Sequence, residues 1–141
     1  MDKHVRVGVG CFVFNQNQEF IMIKRKGSHG AGTWALLGGH IEFGQTVAEA
    51  AFMEVRQEAG IDIEATHVRY GGWSEAIFLE EDKHYISVIC AAYMQPHCEP
   101  KIMEPDKCEE IRWVKIDGPY PEPMFKPLAR YLLYNQIPVP W

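Results

Sequence analysis

Gly38 to Ile61, GGHIEFGQTVAEAAFMEVRQEAGI, is the stretch from which the fold of this chain is read. It opens with a glycine turn and a short connecting loop, and its second half carries helix signals at both ends. Thr46 and Glu49 make the S/T-x-x-E pattern of a capping box, which predicts Thr46 as the N-cap, and Gly60 stands where a helix turns left-handed and stops. A step of about 100° per residue from Val47 puts Ala50, Ala51, Glu54 and Glu58 on one stripe, with Glu49, Phe52, Met53 and Arg56 on the rest of the wheel. Helix glutamates ordinarily belong to a solvated face. Here two of them, four residues apart, share a stripe with alanines and repel each other. A divalent cation removes that repulsion. A site with few protein oxygens suits Mg2+, which keeps water and substrate phosphates as its other ligands. The glycines ahead of the helix let backbone approach a ligand.

Gly39, five residues, position 45, seven residues and positions 53 to 61 resemble the Nudix box, Gx5Ex7REUxEExGU with U aliphatic. Gly39, Glu54, Val55, Glu58, Gly60 and Ile61 match it, whereas Gln45, Met53 and Gln57 replace an acid, an arginine and an acid. The flanking GGHIEFGQT, with KRKGSHGAGTWAL before it and EPKIMEPDKCEEIRWV after it, is similar to a subgroup of this family. Members of that subgroup act on thiopurine and other nucleotide triphosphates or, as plant cytosolic enzymes, on nucleotides or terpenyl diphosphates. The resemblance implies one α+β domain over residues 1–141, an α/β/α sandwich with a mixed central sheet between helices. It also implies a Mg2+-dependent hydrolase, with Mn2+ as a substitute ion, that cleaves a diphosphate bond in a nucleotide (a triphosphate or a diphosphate linked to a group X) or in a prenyl diphosphate. Glu54 and Glu58 would be catalytic. Metal ligands would be Glu54, Glu58, Gln57 and the Gly39 carbonyl. Arg25 first and Lys24 second would meet the phosphates, and Leu36, His40, Phe125, Lys126 and Leu128 would line the substrate.

The three departures set the alternatives. Gln57 removes a negative charge, so further metal ions bind more weakly. Gln45 and Met53 replace a charged pair together, as a neutral contact would. A Nudix-fold protein that holds a phosphate ligand without turning it over is the first competitor. Lyase, cyclase or isomerase chemistry on a diphosphate is the second. Two retained acids on the stripe favour an enzyme over a binding module.

The composition fits these expectations. A hydrophobic fraction of 47% over 141 residues is enough for one core. A formal net charge of −5 argues against a nucleic-acid backbone binder, which needs a basic face, and favours small ligands. Cys11, Cys90, Cys98 and Cys108 form no CxxC pair and no signal peptide precedes Val5, so a reducing cytosol is the expected setting. His97, Cys98 and Cys108 match no common zinc spacing. No stretch reaches the ~20 apolar residues of a membrane-spanning helix. Subgroup relatives are homodimers, and Trp73 and Trp141 would suit such a contact.

Along the chain, the alternation from Val5 to Phe14 predicts a strand whose second face carries Gly8 and Gly10, either a weak point or room for a ligand. A polar turn over 15–18 leads to a strand from Glu19 to Lys24, and the two read as a hairpin. Lys24, Arg25 and Lys26 precede a glycine-rich loop from Gly27 to Thr33; a basic triplet is ordinarily a solvated edge, but a guanidinium fork can hold a diphosphate in two contacts. Trp34 to Leu37 is a short strand, with Leu37 where relatives have proline. Two strand segments flank a bend at Gly71 and Gly72, Glu80 to Lys83 is a turn, and His84 to Met94 is a central strand. His84 is a base, a ligand reader or a structural histidine. Gln95 to Asp106 is a proline-rich loop that covers a site or an interface; Glu109 to Ile116 is the last strand, its acids read as surface carboxylates before metal ligands. A second helix follows Pro121 to Pro127, with Leu128, Tyr131 and Leu132 at helical spacing.

Overall fold

The computed structural model describes residues 3–27 and 29–141; Ser28 of the glycine-rich loop lies outside the described residues. Strands β1 (Arg6–Phe14) and β6 (Lys83–Tyr93) run parallel at the centre, in unbroken register from Arg6 opposite Tyr85 to Phe14 opposite Tyr93. β5 (Arg69–Phe78) pairs antiparallel with β6, and its register shifts between Tyr70 and Trp73, which is the bulge expected of Gly71 and Gly72. On the other side of β1 lies β4 (Leu37–His40), antiparallel from Gly8 opposite His40 to Cys11 opposite Leu37.

The expected hairpin of β1 and β2 forms, antiparallel across the turn over 15–18, but only its base is paired. β2 (Glu19–Arg25) meets β1 in a single register pair, Phe14 opposite Phe20, and then diverges to pair with β7 (Cys108–Lys115) and the short β3 (Trp34–Ala35). The turn itself is local: Asn15 Oδ1 accepts from the backbone N–H groups of Asn17 and Glu19 at 2.9 and 3.0 Å. Both strands are apolar on two faces, so each is buried by partners distant in sequence. All seven strands thus belong to one mixed sheet, in which β5–β6–β1–β4 and β7–β2–β3 are joined through the Phe14–Phe20 pair.

Helix α1 (Val47–Ala59) begins and ends as its sequence predicts. Thr46 Oγ1 accepts from Glu49 N–H at 3.1 Å, Glu49 returns the bond to Thr46 N–H at 3.0 Å, and Gly60 takes φ 66°. Its buried stripe is Ala50, Ala51, Val55 and Ala59, packed on Val9, Cys11 and Val13 from one face of β1. Phe52 is half-buried against the same core with the Arg56 guanidinium 4.7 Å from its ring centre, so it departs from the wheel's simple division. The opposite face of the sheet, with Phe12, Phe14, Met22 and Ile89, is closed by α2 (Lys126–Tyr134) through Leu128 and Tyr131. Two apolar layers back to back on one sheet give the sandwich. The proline-rich loop returns along the end of α1, where Lys101 N–H bonds the Ala59 carbonyl at 3.0 Å and Met103 N–H bonds that of Glu58 at 3.3 Å. Those bonds satisfy carbonyls that a helix end leaves without partners.

Candidate active site

A cleft of about 440 Å³ is lined by the glycines of β1 and β4, by α1 and by the start of α2. Glu54 and Glu58 point into it from the flank of the buried stripe. The Gly38 N–H donates to Glu58 Oε1 at 2.7 Å. A Cβ on Gly39 would stand 2.5 and 2.7 Å from the two Glu54 carboxylate oxygens, so that carboxylate lies directly against the Gly39 backbone. The glycine pair is thus the surface on which both acids rest.

Burial, with the Glu54 charge beside it, pushes the Glu58 carboxyl from 4.5 up to about 8, against the Gly38 hydrogen bond and the Arg25 charge, which hold it down. Burial, and secondarily Glu104, also raises Glu54. Folding of the metal-free chain therefore returns to Glu58 a proton that the unfolded chain has lost above pH 4.5. The stability that this proton secures is present below that pH and is lost as pH rises through about 8. The expected result is a metal-free Tm lower at pH 8.5 than at pH 6, a Glu58→Gln variant with a flatter profile, and recovery of the native chain alone when Mg2+ is added. A pH profile unchanged by Glu58→Gln would show that this carboxyl titrates normally.

Across the cleft, Arg25 ends β2. Its Nε donates to the His29 carbonyl at 3.0 Å, and its guanidinium carbon stands 4.3 Å from the Phe125 ring centre. Among the described residues, no ion pair or hydrogen bond occupies its terminal nitrogens. His29, whose Nδ1 lies 2.8 Å from Glu81 Oε1, packs edge-on to Phe78 and Phe125 at 4.7 and 5.4 Å. Toward the mouth His40 stacks on Tyr85, rings 5.5 Å apart and 8° from parallel, with Nε2 3.1 Å from the phenol oxygen. Leu36, Phe125 and Leu128 line the cleft as expected, and Gly8 and Gly10 form part of its floor, which favours room for a ligand over a weak point.

Several expected residues lie elsewhere. Lys24 turns to the surface and pairs with Glu109 at 3.6 Å. Lys126 donates to the Ile77 carbonyl at 2.6 Å instead of lining the cleft. Gln57 reaches the rim but is exposed. Gln45 Oε1 accepts from Glu42 N–H at 2.9 Å within its own loop, while Met53 is 42% exposed, so each has its own surroundings in place of the expected mutual contact. His84 pairs with Glu75 at 2.8 Å, Glu110 with Arg112 at 3.1 Å, and the four cysteines are free.

Sequence reasoning missed Glu104, Lys107, Tyr85, Ser87 and His29 as lining residues. Nothing local in the EPDK at 104–107 marks a site; it is the loop's attachment to the end of α1 that brings Glu104 beside the acids. Among the described residues no three His, Cys, Asp or Glu side chains form a ready metal cage. Two carboxylates held on a glycine backbone, with open cleft before them, fit an ion that takes few protein ligands and completes its shell from water and substrate.

The NUDIX domain model matches residues 4–135. "Nudix hydrolase 2" of Arabidopsis thaliana is 31% identical over 84 residues, covering 52% of this chain and 30% of that protein. "NAD-capped RNA hydrolase NudC" of Stutzerimonas stutzeri is 28% identical over 134 residues, covering 94% of this chain and 45% of that one. The chain thus spans less than half the length of these relatives. A MutT NUDIX hydrolase structure from Burkholderia pseudomallei superposes with a TM-score of 0.79 at 27% identity, covering 92% of this chain and 95% of that chain. With the box helix, its two acids and the glycine strand in the arrangement described, and the match running almost end to end, this chain belongs to the Nudix domain family.

Proposed function

We propose that the chain is a Mg2+-dependent pyrophosphohydrolase of nucleotide diphosphate derivatives. The observation that carries this is the opposition of two acids, seated on Gly38 and Gly39, to an Arg25 whose terminal nitrogens have no partner among the described residues. Glu54, Glu58, the Gly39 carbonyl and the Gln57 amide oxygen would hold the ion, with Mn2+ as a substitute. The bound ion supplies positive charge that offsets the phosphate oxygens. Arg25 would grip a phosphate through its fork, its plane fixed by His29 and Phe125. Glu54, half-buried and raised, is the better candidate to take a proton from the attacking water, because Glu58 already accepts from Gly38. Glu104 adds a third carboxylate at this end.

A nucleotide is favoured over a prenyl chain. The far end of the cleft combines aromatic faces with polar atoms from His40, Tyr85 and Ser87, which suit a base and ribose better than a hydrocarbon. Relatives described as an NAD-capped RNA hydrolase and an 8-oxo-dGDP phosphatase support the same class.

The test is product release with Mg2+ across nucleoside triphosphates, nucleoside diphosphate conjugates and prenyl diphosphates. Turnover of a nucleotide that EDTA abolishes is expected. Turnover of prenyl diphosphates alone would reverse the choice of class. A native chain that is inert while Gln57→Glu hydrolyses would favour ligand binding or non-hydrolytic chemistry. Absence of Mg2+ binding at millimolar concentration would sink the metal-dependent function.

A further inference from the structure

A guanidinium on a long side chain grips a ligand well only when its plane is set beforehand, because fixing free rotors on binding costs free energy. Two contacts set the plane of Arg25. The His29 carbonyl takes its Nε–H at 3.0 Å, and the Phe125 ring lies against the guanidinium, with its centre 4.3 Å from the guanidinium carbon. Gly30, at φ 65°, permits this approach: a Cβ there would stand 2.7 Å from the Phe125 ring and 3.2 Å from Arg25 Nε. The terminal nitrogens are left for the cleft that Arg25 lines.

That carbonyl belongs to a loop, and it directs a donor only if the loop is fixed. The second half of the loop is fixed locally. Gly32 N–H bonds the Arg25 carbonyl at 2.8 Å, and the Gly30 carbonyl accepts from Thr33 N–H and Oγ1–H at 3.1 and 2.6 Å. His29 is held through its side chain instead. Its Nδ1 lies 2.8 Å from Oε1 of Glu81, 52 residues further on, in the single 3-10 turn Leu79–Glu81 that joins β5 to β6. The ring fills the space between, edge-on to Phe78 and Phe125, with its centre 5.9 Å from that of Tyr85. Burial holds the imidazole below its ordinary range, against the Glu81 contact, so near neutral pH it keeps one proton, on the Nδ1 that faces the carboxylate. The same hydrogen bond holds Glu81 below the usual carboxylate range.

We propose that Glu81 is a positioning residue for Arg25: its carboxylate anchors the His29 ring, and with it the carbonyl that sets the guanidinium plane. Use of that guanidinium on a phosphate rests on the function given above, whereas the anchoring itself does not. Glu81 is not among the residues that line the cleft, so its effect on a ligand passes through Arg25. A phosphate is charged before attack as well as during it, so the effect falls on KM more than on kcat.

Side-chain NMR reads the anchoring without turnover. In the isotope-labelled full chain, Arg25 is expected to give an Nε–H signal, missing in Arg25→Lys, that exchanges slowly with water. Glu81→Ala and His29→Ala should each speed that exchange by about tenfold or more, while Glu81→Gln, which keeps an acceptor oxygen, restores most of the protection. Arg56, whose Nε–H donates to Asp62 at 2.8 Å on the surface of α1, is the internal reference and should not change. An unaltered Arg25 signal in Glu81→Ala, no recovery in Glu81→Gln, or equal loosening of Arg25 and Arg56 overturns the proposal. On a nucleotide that the native chain hydrolyses, Glu81→Ala should raise KM by about fivefold with kcat within about twofold, and should add nothing to the loss in Arg25→Ala. Losses that add, or a fall confined to kcat, count against it equally. A native chain that hydrolyses nothing but shows the expected exchange pattern supports the anchoring while it sinks the hydrolase function.

Discussion

Gly38→Ala is expected to destabilise the chain by about 3 kcal/mol or more, a fall of about 10 °C in Tm. A Cβ at this position would fall well inside van der Waals contact with the Val9 carbonyl oxygen, and within 2.9 Å of the carbonyl carbon and 3.1 Å of the Gly10 Cα. All three are backbone atoms of β1, which is fixed on its far side by nine register pairs with β6. Nothing there can rotate away, so β4 must part from β1. Gly39→Ala makes the instructive contrast. Its Cβ meets the end of the Glu54 side chain, which can turn aside. The fold should survive with a Tm within a few degrees of the native value, while Mg2+ affinity falls because Glu54 has been pushed off its seat. Thermal unfolding of both variants, with and without Mg2+, measures this. If the two lose stability equally, the assignment of one glycine to strand packing and the other to the acid is wrong.

Glu58→Gln should lower hydrolysis by about a hundredfold or more while the metal-free fold is kept. The amide oxygen can still accept from Gly38 N–H, as Oε1 does at 2.7 Å, so the helix and the glycine strand remain tied. Only the negative charge is lost, and with it the attraction for a divalent ion. Glu54→Gln should cost as much by removing both a ligand charge and the candidate proton acceptor. Steady-state rates across Mg2+ concentrations separate the two contributions: a lost ligand raises the Mg2+ requirement, whereas a lost proton acceptor lowers the rate at saturation. A Glu58→Gln chain that retains its rate within about threefold would place the metal elsewhere.

Most of what could be read without a structure came from short-range signals. The capping box at Thr46 and Glu49 and the stop at Gly60 set the ends of α1 to the residue, because caps are made of backbone bonds within one turn. Spacing along that helix placed Glu54 and Glu58 together. Strand parity explains a partial success: Lys24 and Arg25 are neighbours on β2, so their side chains leave on opposite faces, and only Arg25 enters the cleft while Lys24 pairs with Glu109. Which of the two faces inward depends on what covers the strand, and that covering comes from far along the chain. Lys126 is similar: its place at the start of α2 was legible, but the Ile77 carbonyl that takes its ammonium was not.

The sequence by itself determined the box helix, the pair of acids and the family to which the chain belongs, since each rests on residues within a few turns of one another, whereas Gly38 and Gly39, read as a turn, lie in a strand because β1 pairs with them. Tertiary structure alone decided that β1 leaves β2 for β6 and β4, that the loop ending at Lys107 docks on the last carbonyls of α1, and that Glu104, Lys107, Tyr85 and His29 join the cleft. Contacts of that kind are selected by which buried faces and unpaired backbone groups find partners across the whole molecule, and no local pattern records that choice.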